Sequence, residues 1–156
     1  MCKPTIIDSN SVSLVVPKII VAEKPDPLLK WIEYGYGVLC YTGTGKLGQE
    51  LGRTKRFKQK LQAYRESGKA RYISERKMKI AKSELELERL KSDDEDILAL
   101  ILASNAEIIV TDDEDLKKDI KDYVKTVKRV NIAIYPRSQK RNKRQQFLDQ
   151  RRCICR

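Results

Sequence analysis

The sequence predicts an α/β fold with a mostly parallel sheet covered on both faces, and three observations carry that expectation. Short β-branched runs alternate with helical stretches over residues 1–136 of the 156, the pattern of strands joined by helical crossovers. The runs are apolar at consecutive positions rather than at every second one, as strands buried on both faces require. One intervening stretch, Ile97 to Ala103, is apolar at nearly every position, so a helix there is buried rather than amphipathic.

The elements follow in order. Thr5-Ile6-Ile7 is a β-branched strand ending in Asp8 and an Asx/Ser turn at Ser9-Asn10. A helix is expected around Ser11 to Val16, before Pro17. The turn Lys24-Pro25-Asp26-Pro27 starts a helix from about Leu28 to Tyr34, which Gly35 and Gly37 stop. Gly37 to Tyr41 reads as a second buried strand. Thr42-Gly43-Thr44-Gly45-Lys46 leads into one helix with Leu47, Leu51, Phe57, Leu61 and Tyr64 near one face, ended by Ser67-Gly68. Ala70 to Ile73 is a short strand, and Ser74 to Leu90 a charged amphipathic helix. Asn105 suits the left-handed residue that closes the buried helix, and Glu107 to Val110 is the next strand. A helix to about Val124 and a strand from Val130 to Ile134, closed by Pro136, complete a domain over residues 1–136. Residues 137–156 form a basic tail.

Ser92-Asp93-Asp94-Glu95 and Thr111-Asp112-Asp113-Glu114 both fit S/T-x-x-E, the capping box that opens a helix. Acids in a first turn also complement the helix dipole, by roughly 0.3–1 kcal/mol each. Capping accounts for Glu95 and Glu114 and in part for the aspartates.

Charge is distributed unevenly. Residues 137–156 hold eight Lys/Arg against Asp149 alone, hence +7 of the net +11, while residues 84–122 hold 14 of the 22 acids. A basic exterior around an acidic centre suits a protein that attracts phosphates and holds a metal among carboxylates; a solvated surface with a flexible basic arm is the plainer account.

The chain has no histidine, which excludes Ser-His-Asp and Cys-His nucleophiles and a histidine base. Any catalysis falls to carboxylates, through a metal. The four cysteines make no disulfide framework. Cys153-x-Cys155 lacks a histidine to complete a mixed zinc site, and reduced thiols in the cytoplasm are expected. No apolar run approaches the roughly 20 residues of a membrane span, and the N-terminus has no signal-peptide pattern.

Gly43-Thr44-Gly45-Lys46-Leu47 lacks both the earlier glycine and the Ser/Thr after lysine that a phosphate loop needs. Trp31, Tyr34, Tyr36, Tyr41 and Tyr64 could stack on bases, but their placement on helices and strands favours packing.

In an open parallel sheet ligands bind beyond the carboxyl ends of the strands. Asp8 follows the first strand, Asp112, Asp113 and Asp115 follow a later one, and Asp93, Asp94 and Asp96 open the helix between. Converging carboxylates repel one another unless protonated or neutralised, and oxygen-only ligation favours Mg²⁺ or Mn²⁺.

Ile6-Ile7-Asp8-Ser9-Asn10, Ser92 to Leu100 and Val110 to Leu116 together resemble a PIN domain, in that family's order and spacing, across roughly residues 4–135. The resemblance implies a three-layer α/β/α sandwich and a metal-dependent ribonuclease acting on single-stranded RNA, with Mg²⁺ or Mn²⁺ as cofactor. Many members are toxins of toxin–antitoxin pairs and others process RNA in complexes, so an antitoxin, another protein partner or a homodimer belongs to the expectation. Carried over, Asp8 matches the first acid, Asp94 the third, Asp113 the fourth and Asp115 a further acid that some members use. Position 96 often holds histidine in such proteins, and Asp96 shares the third place with Asp94 as an alternative. Glu50 is chosen for the second acid, with Glu33 and Glu66 as alternatives. Lys46, Arg53 and the tail would attract the RNA backbone.

Two other readings stand beside it. One is a catalytically silent PIN-like module that docks RNA or protein. The other is a phosphatase of the haloacid-dehalogenase type, whose second aspartate is replaced here by Asn10.

Overall fold

The computed structural model describes residues 2–14 and 24–151. Its centre is a five-stranded, all-parallel sheet: β1 (Lys3–Ile7), β2 (Gly37–Tyr41), β3 (Ala70–Tyr72), β4 (Ile108–Val110) and β5 (Ala133–Ile134), in the spatial order β3-β2-β1-β4-β5. Among the described residues seven α-helices flank it in a three-layer α/β/α sandwich: α1 (Pro27–Tyr34), α2 (Gly45–Arg53), α3 (Lys55–Glu66), α4 (Glu75–Ser83), α5 (Glu95–Ser104), α6 (Glu114–Asp119) and α7 (Arg141–Asp149). β1 takes the middle, with Thr5 level with Leu39 on one side and Ile108 on the other. The order changes direction at β1 and β4, where a doubly wound sheet opens its crevice.

All five residues of β2 and all three of β4 are buried, as helices on both faces demand. α5 buries Asp96 and every residue from Ile97 to Ile101, each large aliphatic side chain stabilising the fold by roughly 1.5–3 kcal/mol. Asn105 ends it at φ 51°, the left-handed cap expected of that residue.

Several elements differ from the expectation for physical reasons. The helix expected after Asn10 is a 3₁₀ turn over Ser9–Leu14, and positions 15 and 16 lie outside the described residues. The stretch from Gly45 to Glu66 is two helices, because Thr54 is extended (φ −92°, ψ 102°). Leu51 and Phe57 are six residues apart and would diverge on one straight helix; the break lets both be buried. The helix expected from Ser74 to Leu90 ends at Ser83, followed by a 3₁₀ turn at Leu87–Arg89. α6 runs on through a π-helical turn, Ile120–Val124. The last strand keeps two of its expected five residues. Arg129 turns left-handed (φ 55°), Val130 bonds back to Val124, and the chain reaches the sheet only at Ala133.

The basic segment differs most. Residues 137–151 do not form a free arm, since α7 packs on α1 and Leu148 is fully buried. Phe147 meets the edge of Tyr135 at 5.7 Å. Asp26, which caps α1 through the Leu28 N–H, accepts from the Tyr135 hydroxyl at 2.6 Å and pairs with Arg144. Cys153 and Cys155 lie outside the described residues. Among the described residues no helix is long and apolar enough to cross a membrane.

Candidate active site

Asp8 leaves the end of the central strand, where its backbone N–H bonds to Val110 O of β4 at 2.9 Å. It is 4% exposed. Its Oδ2 accepts the Thr111 hydroxyl at 2.8 Å, and Thr111 Oγ1 in turn accepts the Asp113 N–H at 3.1 Å. One threonine at the end of β4 thereby aligns acids that stand 105 positions apart. Asp113 caps α6 by accepting from Leu116 N–H at 2.7 Å through Oδ1.

Asp94 stands at the N-terminus of α5, yet its side chain caps nothing. The two S/T-x-x-E motifs are therefore not capping boxes. The helices begin two residues later than those motifs imply, with Asp94 and Asp113 in the cap positions. Ser92 Oγ is buried with no partner among the described residues. Released from capping, the Asp94 carboxylate faces other acids. Its pKa is pushed up to about 6, chiefly by burial and then by the fields of Asp8, Asp113 and Asp93, with Lys46 opposing.

An open pocket of about 350 Å³ is lined by Asp8, Ser9, Asn10, Lys46, Glu50, Arg53, Asp93, Asp94 and Asp113. Five acids face two cations there. Glu50 enters from α2 and is fixed by the Ser9 hydroxyl at 2.7 Å. Lys46 lies 3.9 Å from Asp93, with both side chains largely exposed. Of the expected ligands, Asp8, Glu50, Asp94 and Asp113 are thus brought together.

Four others are not. Asp115 is exposed on α6 and pairs with Lys118 at 2.9 Å, outside the pocket. Glu33 is held by Lys60 and by the Tyr64 hydroxyl at 3.3 Å. Glu66, at the end of α3, is bound by Gln62 at 3.0 Å. Asp96 joins two helices instead. Its Oδ2 accepts the Lys46 N–H at 2.6 Å at the start of α2, and the carboxylate pairs with Lys82 of α4. Gly45, at φ 68°, has no room for a Cβ beside that carboxylate. With the first amides of α2 committed to Asp96, Gly43 to Lys46 offers no phosphate cradle.

Sequence reasoning misses the residues that hold the acids. Ser9 and Thr111 read there only as turn and cap residues. Asp119, 2% exposed on α6, accepts the Lys91 and Ser92 N–H groups at 2.8 Å each, anchoring the loop that carries Asp93 and Asp94. In Asp-Leu-Lys-Lys-Asp it reads as one more surface charge; its position three residues after Leu116, on the buried stripe, is the available signal.

The donor set is oxygen alone, and burial plus mutual repulsion leave the pocket short of positive charge. Both fit a hard divalent cation. Among the described residues no three acidic groups already stand in chelating positions. A pocket of about 350 Å³ leaves space for a cation such as Mg²⁺ that keeps several waters.

No protein-family model, no curated protein and no solved structure matches this chain.

Proposed function

We propose that the protein is a Mg²⁺- or Mn²⁺-dependent ribonuclease of the PIN-like type, acting on single-stranded RNA. The observation that carries the reading is the Asp94 carboxylate, left without a capping role and raised to about 6 by burial and by Asp8, Asp113 and Asp93 around it. Acids held this close at a strand-end crevice cost stability, and a site that tolerates that cost is a candidate for function. Asp8, Glu50, Asp94 and Asp113 would hold the ion. A bound Mg²⁺ or Mn²⁺ supplies an ionisable water and neutralises charge on the phosphate. Thr111 and Ser9 orient Asp8 and Glu50; Lys46 and Arg53, on the pocket wall, attract the phosphate backbone.

The test is incubation of purified protein with single-stranded RNA, with and without Mn²⁺. Cleavage is expected only with the metal, and Asp8→Asn or Asp113→Asn should lower it by roughly two orders of magnitude or more. Cleavage by both variants at the wild-type rate would overturn the proposal.

A second reading, a silent module that binds RNA without cutting it, is favoured by one observation: no three acids stand preassembled for chelation among the described residues. It predicts that RNA binds and stays whole with either metal present.

A further inference from the structure

A second open pocket, of about 600 Å³, is lined by Tyr41, Lys58, Leu61, Gln62, Arg65 and Glu66. It is built from the carboxyl end of β2 and one side of α3. Tyr41 and Tyr72 are register partners at the ends of β2 and β3, with ring centroids 5.5 Å apart at 57°. Tyr41 is buried and Tyr72 is 51% exposed. Gly43 backs the Tyr72 ring, which would lie 3.7 Å from a Cβ there. Lys58 and Arg65 make no ion pair with a carboxylate among the described residues, and α3 carries five cations against Glu66 alone.

Placement ties this pocket to the acidic one. Thr5 pairs with Leu39, so Ile7, just before Asp8, lies level with Tyr41, which pairs with Tyr72. Asp8 therefore stands roughly one strand spacing, about 5 Å, from the end of β2 and about 10 Å from that of β3. α2, with Lys46 and Arg53 on the wall of the acidic pocket, leads directly into α3.

We propose that the Tyr41/Tyr72 platform and the Lys58/Arg65 side of α3 form a subsite for the nucleotides of single-stranded RNA flanking the one at the acidic pocket. The proposal rests on the ribonuclease reading for its ligand. Tyr72 stacks on a base, which every base permits and a paired base resists, while Lys58 and Arg65 meet the adjoining phosphates. Unpaired cations that share a pocket with Tyr41, whose ring meets the half-exposed Tyr72, favour this polyanion over a protein segment.

The experiment is fluorescence anisotropy with a labelled single-stranded RNA in EDTA, so that binding is read without cleavage. Tyr72→Ala is expected to weaken binding by about 5- to 100-fold, the loss of one stack, and to lose the preference for single strand over duplex. Tyr72→Phe should bind like wild type. In a scan of abasic substitutions along the RNA, one position should make Tyr72→Ala and wild type equal. Lys58→Ala/Arg65→Ala, both on the helix surface, should reduce the salt dependence by about 1.4 in the log–log slope, two phosphate contacts on a single strand. Wild-type affinity and slope in Tyr72→Ala and in the double variant would overturn the subsite. Should cleavage fail while Tyr72-dependent binding persists, the ribonuclease reading falls and the subsite stands; should cleavage occur with Tyr72 irrelevant, the reverse holds.

Discussion

The hydroxyl of Thr111 meets the carboxylate of Asp8 at 2.8 Å, joining the ends of neighbouring parallel strands across 103 residues. Both are almost fully buried, so the bond is formed away from water. Replacing Thr111 with valine keeps the shape and removes the donor to Asp8 and the acceptor for the Asp113 N–H. The expected loss is about 1–3 kcal/mol in urea unfolding, the usual cost of stranding a buried polar group. The RNA cleavage proposed for this site should fall with it, because Asp8 loses its orienting partner.

Asp94 makes the stability of the protein sensitive to pH in an unusual sense. Its folded pKa of about 6 lies above its ordinary value of 3.8, so between about pH 4 and 6 the folded state binds more protons than the unfolded one. Stability contributed by this group therefore falls as pH rises through that window. Asp94→Asn should raise the thermal midpoint above pH 6 and change little near pH 4. The gain is of order 1 kcal/mol once solvent screening at a half-exposed site is discounted. Thermal melts at pH 4.5 and 7.5 in EDTA check it.

Gly45 should not tolerate a side chain. Alanine there meets both a left-handed backbone (φ 68°) and the Asp96 carboxylate. Backbone strain alone costs about 1–2 kcal/mol, and displacing Asp96 from the Lys46 N–H and Lys82 adds to it. Equilibrium unfolding of Gly45→Ala should show a loss of about 2–4 kcal/mol.

Leu148 tests whether the basic segment belongs to the domain. Its side chain is fully buried in α7, so Leu148→Ala should cost about 2–5 kcal/mol. Truncation after Pro136 should yield an aggregating product, because it uncovers α1 and strips Arg144 from Asp26. A truncated chain with the melting point of the whole protein would show that α7 contributes nothing to the core.

The fold class could be read from the sequence because buried parallel strands are apolar at consecutive positions and short, and Val38 to Tyr41 and Ile108 to Val110 show that plainly. Asp8, Asp94 and Asp113 could be placed beyond strand or helix ends by position alone. What the sequence hid was the work of each carboxylate. Asp94, Asp96 and Asp115 lie within a duplicated acidic motif, yet one faces the pocket, one clasps α2 to α4, and one is an exposed partner of Lys118. A shift of two residues in each helix start separates those fates, finer than periodicity resolves. Leu148 and Phe147 were similarly hidden, because a segment dense in Lys and Arg reads as solvated although these two apolar residues and the Arg144–Asp26 pair dock it.

The central strand is the first of the five in chain order, and its neighbour β4 follows about a hundred residues later. A ribosome-bound polypeptide that has emerged only as far as α4 has Asp8 and Glu50 but neither Asp94 nor Asp113. Contacts so distant along the chain form slowly, and the acid-lined pocket closes only once α5 and the start of α6 have followed.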